Sequence, residues 1–292
     1  MKRLLILYII TMFCSCSSST TQPTIYTLKI DKHYDTLPDS SYVKSVKCMQ
    51  FYNDNLYILD AEQQKILEIS ENFDKVKTIA RGGRAANEIM FANSFYLHSD
   101  TMFVLDGDRI KYYNSDGYLS YKPIDSDIML RYNRFAADAD YFYLPYKSKE
   151  HTFCLLPKEG SGEVALYGSL ESLDTEKKTL LRNPRALFQN EKYIVTMANV
   201  FAYFEYFDRD SKQMLGRFDF SQLDFMRDNL NFIESKPDKE NSYYVLVEDS
   251  YMIGNNLFAL CSTFQGGYRS KSAIKNMAII VLHYLNITLR YV

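Results

Sequence analysis

Hydrophobic and polar positions along the chain fall into a module that recurs five times. MQFYNDNLYILD, NSFYLHSDTMFVLD, RFAADADYFYLP, ALFQNEKYIVTM and SYMIGNNLFALC each place a short run, a polar turn and then a strongly apolar run. The turns are built from Asn, Asp, Ser, Gly and similar residues, which suit the tight reversal between two twisted strands, so five hairpins are predicted. The second strands begin near Leu56, Met102, Tyr141, Tyr193 and Leu257. The first two steps, 46 and 39 residues, match the period of a propeller blade.

Each module continues into a second hairpin, in KILEISENFDKVKTI, RIKYYNSDGYLSY, TFCLLPKEGSGEVALY, FAYFEYFDRDSKQMLGRF and IIVLHYLNITLRYV. Four strands per unit result. LYIL is apolar at every position rather than at alternate ones, as expected of a strand covered on both faces by neighbouring sheets. The longer steps contain residues 169–182 and 221–235, whose apolar residues recur at three and four and predict short helices or loops inserted between blades. The pattern therefore predicts an all-β fold, a β-propeller of four-stranded blades. A β-sandwich is the competing architecture, but it gives no reason for a four-strand module to repeat.

The N-terminus follows another pattern. Lys2 and Arg3 precede an apolar stretch over residues 4–13, the layout of a secretory signal, and the stretch is too short to span a bilayer. Phe13-Cys14-Ser15-Cys16 resembles the lipobox of bacterial lipoproteins, with Cys16 in the modified position. The resemblance implies that residues 1–15 are a signal peptide and that Cys16 carries the lipid. Two or three acyl chains, at about 0.8 kcal/mol per buried methylene, make such an anchor effectively permanent. Residues 16–23 are Ser- and Thr-rich and read as a flexible tether, leaving residues 24–292 for the propeller domain. No aspartate follows Cys16. The outer membrane is thus the expected location, on its periplasmic face, with surface exposure as the alternative.

Composition narrows the chemistry. A net charge of -2 without a basic block gives no footprint for nucleic acid. Aromatic residues make up 15% of the chain, all Tyr and Phe, and favour strands. Cys48, Cys154 and Cys261 are odd in number and sit within apolar segments, so they read as buried thiols rather than a disulfide framework. His33, His98, His151 and His283 lie far apart with no second ligand at metal-site spacing. No phosphate loop, nucleophile elbow or other catalytic signature is present, and no cofactor or metal is implied. Asp106 and Asp108 in LDGDRI could act as acid and base, but their expected role is to bond backbone amides at a strand end and to pair with Arg109.

IARGGRAANEIMFANSFYLHSDTMFVLDGDRIKYYNSDGYL resembles the six-bladed propeller lipoproteins of gut bacteria, relatives of TolB-like and NHL-like propellers. Gly83, Arg84, Glu88, Val104, Asp106, Arg109, Ile110, Tyr113, Asp116 and Gly117 follow that family's pattern, whereas Ala85, Ala86 and Asn87 depart from it. The resemblance implies six blades. Five are readable, which suggests an incomplete reading frame, with a closed five-bladed ring as the alternative and TIYTLKI as a candidate strand of a sixth blade.

Arg84, Arg131, Arg134 and Arg185 stand at predicted blade entrances, where they could ring one mouth of the channel and bind an acidic ligand in two-point fashion. Salt bridges between blades are the favoured use of the same residues. Two functions of different class follow. One is a non-catalytic binding or scaffold module, lipid-tethered to the membrane and facing an envelope protein or glycan. The other is a hydrolase or lyase acting on glycans or esters at the channel mouth.

Overall fold

The polar turns reverse the chain as their residues dictate. Asn53 and Asp54 have φ of 45° and 58°, and Ser99 and Asp100 have 48° and 60°. Both central residues of each turn are therefore left-handed, the geometry that matches strand twist in a two-residue hairpin. In the computed structural model, residues 36–124, 134–146, 148–160 and 162–264 are described, together with the backbone of three outlying strands at 24–25, 278–283 and 290–291.

The first outlying strand is β1 (Thr24–Ile25). Blade 1 then comprises β2 (Val46–Tyr52), β3 (Asn55–Asp60), β4 (Lys65–Ser70) and β5 (Val76–Ala80). Blade 2 comprises β6 (Ala92–His98), β7 (Thr101–Asp106), β8 (Arg109–Asn114) and β9 (Gly117–Pro123). Blade 3 follows with β10 (Ala136–Ala137), β11 (Tyr141–Pro145), β12 (Phe153–Pro157) and β13 (Ala165–Tyr167), and blade 4 with β14 (Arg185–Gln189), β15 (Tyr193–Ala198), β16 (Tyr203–Asp208) and β17 (Met214–Asp219). Each of these is an antiparallel meander. The fifth sheet holds β18 (Val247–Ile253), β19 (Asn256–Cys261), β20 (Ala278–His283) and β21 (Arg290–Tyr291), and β1 adds to its outer edge, parallel to β21. Thr24 and Ile25, expected in a sixth blade, thus extend the fifth sheet.

Packing between blades explains why the second strands are apolar throughout. In β7, Met102 and Val104 face blade 1, in a core with Cys48, Leu59, Ile66 and Phe95. Phe103 and Leu105 face the opposite way, into a core with Phe142, Leu144 and Cys154 of blade 3. The same alternation joins Tyr143, Phe153 and Leu155 to Leu187 and Phe207 of blade 4. It also joins Val195, Met197 and Phe204 to Leu257, Ala259 and Cys261 of the fifth sheet. Each large apolar side chain buried this way stabilises the fold by roughly 1.5–3 kcal/mol.

The insertions predicted from three-and-four spacing contain helices α1 (Glu176–Arg182) and α2 (Asp224–Glu234). The Thr175 hydroxyl caps α1 by accepting from Lys178 N at 3.2 Å. Asn229 holds α2 to the end of the fifth sheet, donating to Ser262 O at 2.6 Å and accepting from Phe264 N at 3.0 Å. Cys48, Cys154 and Cys261 are free and buried, and burial pushes the thiols of Cys154 and Cys261 up to about 12.

Candidate functional site

A four-stranded antiparallel meander sends its first and third turns to one face of the propeller. Its second turn and the link to the next blade go to the other. Arg84 lies on a link, Arg134 stands just before β10 and Arg185 is the first residue of β14, so these three are at the link face. Arg131 and Cys16, the expected site of lipid attachment, lie outside the described residues. Arg84 is exposed on the loop between β5 and β6. That loop keeps a tight turn without the family's proline: Glu88 N bonds Ala85 O, and the Glu88 carboxylate accepts from Ala85 N at 2.8 Å. A Cβ at Gly83 would lie 1.9 Å from that carboxylate, so a larger residue there would push the Glu88 side chain aside.

Arg134 sits at the hub, where inner strands from several blades meet. Its Nη2 donates to Asp249 Oδ2 of β18 at 2.7 Å, and its Nη1 to Met49 O of β2 at 3.1 Å. Its carbonyl accepts from Leu187 N of β14 at 3.1 Å, and the guanidinium lies over the Tyr251 ring. One side chain thus ties blade 1 and the fifth sheet to the segment entering blade 3. Burial works against its charge, but the Cys48 sulfur and the Asp249 carboxylate beside it keep the guanidinium protonated. A cavity of about 60 Å³ adjoins it, lined in part by Asn199, Glu248 and Asp249.

Arg185 is fully buried, on the face of blade 4 that packs against blade 3. Its guanidinium lies 3.6 Å from Glu205, which is also paired with Arg217 at 2.9 Å. Arg217 reaches Glu171 at 3.0 Å and stacks 3.8 Å over the Tyr203 ring, and Tyr203 donates to Glu171 at 3.0 Å. Two arginines and two glutamates form one network, with no hydrogen bond or ion pair to Arg134 among the described residues. Asp106 bonds the amides of Met90 (3.0 Å) and Phe91 (2.6 Å) and pairs with buried Lys111 at 2.9 Å. Asp108 pairs with Arg109 at 2.8 Å.

The turn face carries a different feature, a cleft of about 300 Å³ between blades 1 and 2. Its floor is apolar, from Ile79, Leu97 and Met102, and its walls are Tyr52 and Tyr57, with Glu68 and Asp100 among the polar groups. Tyr57 donates to Glu68 Oε1 at 2.9 Å. Burial and that carboxylate hold the phenol well above its usual range, so it stays protonated as a donor. The two turns are laced together across the gap: Asn53 Nδ2 donates to Asp100 Oδ1 at 3.1 Å, and Asp100 N to Tyr52 Oη at 3.4 Å. Nothing in the sequence alone marks this site, because its residues come from separate turns and strands of two blades. The one legible signal is the turn chemistry that places Asn53 and Asp100.

No family model and no curated protein matches the chain. Among solved structures, a member of the DUF4221 family from Bacteroides vulgatus is similar over 89% of this chain and 83% of its own, with 12% identity and a TM-score of 0.58. This likeness concerns the fold. Weaker likenesses are to a candidate exported protein of Bacteroides fragilis (13% identity, 82% of this chain and 83% of that one, TM-score 0.41) and to the hydrazine synthase of Kuenenia stuttgartiensis (7% identity, 88% and 66%, TM-score 0.48).

Proposed function

We propose that the chain is a non-catalytic binding module of the cell envelope, moored through a lipid on Cys16 with its propeller held off the membrane by residues 16–23. The observation that carries this reading is the state of the charged groups at the hub and on the link face. Arg134 with Asp249, Arg185 and Arg217 with Glu205 and Glu171, and Lys111 with Asp106 are each engaged by partners in the same chain. A hydrolase or lyase needs an acid and a base within reach of one substrate position. These pairs sit apart, and each already serves to join strands or blades. The lipobox resemblance supports the mooring at the outer membrane.

Purified full-length protein is incubated with envelope glycans and ester substrates, and bound and free ligand are analysed by mass spectrometry. Retention of an unchanged ligand is expected, and product formed in proportion to protein would overturn the reading. The mooring is tested separately by fatty-acid labelling in a bacterial host: label is expected in the native chain and lost in Cys16→Ala, and an unlabelled native chain would refute it.

A further inference from the structure

The third residue of the second strand is aromatic in blades 1, 2 and 3: Tyr57, Phe103 and Tyr143. Each packs toward the following blade. Over two of these rings lies a cation delivered by the following blade, from the turn between its third and fourth strands. Lys158, after β12, places its ammonium 3.9 Å from the centre of the Phe103 ring. Lys212, between β16 and β17, lies 5.3 Å from the centre of the Tyr143 ring and donates to its hydroxyl at 3.3 Å. Arg209 of the same turn pairs with Asp138 at 3.3 Å. Tyr57 is treated differently. The turn that faces it, residues 114–117, reads Asn-Ser-Asp-Gly and contains no basic residue. The cleft opens there, with Asn114 and Ser115 in its lining.

We propose that this cleft binds the primary ammonium group of a small ligand, seated over Tyr57 where Lys158 and Lys212 sit in the neighbouring seams. The inference rests on reading the protein as a binding module. A cation within about 6 Å of a ring centre is attracted to the aromatic face, most strongly where water is excluded. Ile79, Leu97 and Met102 in the cleft lining lower the local dielectric and strengthen charge interactions there. Because the Tyr57 hydroxyl donates its proton to Glu68, its lone pairs are left to accept, as those of Tyr143 accept from Lys212. Glu68 and Asp100 supply negative charge for charge-assisted hydrogen bonds to an ammonium. Among the described residues neither forms an ion pair. Lys77, opposite Glu68 on β5, donates to the Ser115 carbonyl and brings one cation to this end of the seam from blade 1. An anionic ligand would be repelled, and a neutral sugar would leave the carboxylates unmatched. The volume, at the small end of ligand sites, suits an amine on a compact body such as an amino sugar or a short polyamine.

Calorimetric titration of the full-length protein with glucosamine, putrescine, glucose and N-acetylglucosamine tests the assignment. Binding of one or both amines, but not of glucose or the acetylated sugar, is expected, and glucosamine against putrescine separates the two sources of the ammonium. Glu68→Gln is expected to weaken amine binding about tenfold, the loss of one charge-assisted bond. Ser115→Lys is expected to abolish it by filling the cleft from within, with the melting temperature unchanged or raised as evidence that the fold is intact. Absence of amine binding, or amine binding unchanged in both variants, would overturn the assignment while leaving the module reading in place. Chemical conversion of a bound probe would instead remove the module reading.

Discussion

The seam between blades 1 and 2 and the seam between blades 3 and 4 begin from the same position, an aromatic residue third in the second strand, and end differently. Around Tyr143, Arg209 and Lys212 come over from the blade 4 turn and meet Asp138 and the Tyr143 hydroxyl. On the link side, the same seam is closed by Arg185, Glu205, Arg217 and Glu171. Around Tyr57, the blade 2 turn supplies no cation, and a cleft stands over Leu97 and Met102. Stacked blades therefore close by apolar packing at mid-height and by charge matching at their ends. Where the facing turn brings no cation, acidic and aromatic groups line a cleft.

The largest effect is expected where the charges are most deeply buried. Glu205→Leu leaves Arg185 without its carboxylate in a dry interior and is expected to cost about 3–5 kcal/mol, whereas Arg185→Met combined with Glu205→Leu recovers most of the loss. Urea unfolding of the two variants measures the difference. If the single variant were as stable as the native protein, charge matching would not be what closes this seam.

A smaller effect converts the closed seam into a copy of the open one. Arg209→Ala with Lys212→Ala removes the cation over the Tyr143 ring and the one paired with Asp138, and is expected to cost about 1–2 kcal/mol, because those groups are only partly buried. The same variant is expected to gain binding of putrescine at a second place, which calorimetry reads as an increase in stoichiometry. An unchanged stoichiometry would break the equivalence between the two seams.

The smallest effect is a pH dependence confined to the closed seam. Burial alone would raise the Asp138 carboxyl, but the Tyr143 phenol, the amides of Tyr141 and Asp140 and the Arg209 guanidinium together hold it below its usual value. A carboxyl depressed in the folded state stabilises the protein above its unfolded value of about 3.9 and loses that contribution as pH falls through the lower folded value. Asp138→Asn is therefore expected to lower stability at neutral pH and to flatten the acid limb of the stability profile, as followed by thermal unfolding between neutrality and strong acid.

Much of the architecture is legible in the sequence because hairpins are local. Asn53-Asp54 and Ser99-Asp100 announce their turns, and the second strands begin within a residue of where the polar-to-apolar transition puts them, at Asn55, Thr101, Tyr141, Tyr193 and Asn256. The spacing in residues 169–182 and 221–235 marks inserted helices or loops, and helices form at Glu176–Arg182 and Asp224–Glu234. Contacts across the ring are not legible in this way. Arg134 and Asp249 are 115 positions apart, and no periodicity links them. The cleft is hidden for a related reason: its character depends on what the blade 2 turn lacks relative to its counterparts in blades 3 and 4, and that comparison needs the blades superposed in register. Arg84, Arg134 and Arg185 stand at blade entrances, and topology sends those entrances to the link face, opposite the cleft.

The most direct measurement is a methyl NMR titration of the full-length protein with putrescine, following Ile79, Leu97 and Met102 on the cleft floor and Met197 beside the hub. Saturable shifts at the three floor residues with none at Met197 are expected. Shifts at Met197 alone, or none at the floor at saturating amine, would contradict the placement of the binding site between blades 1 and 2.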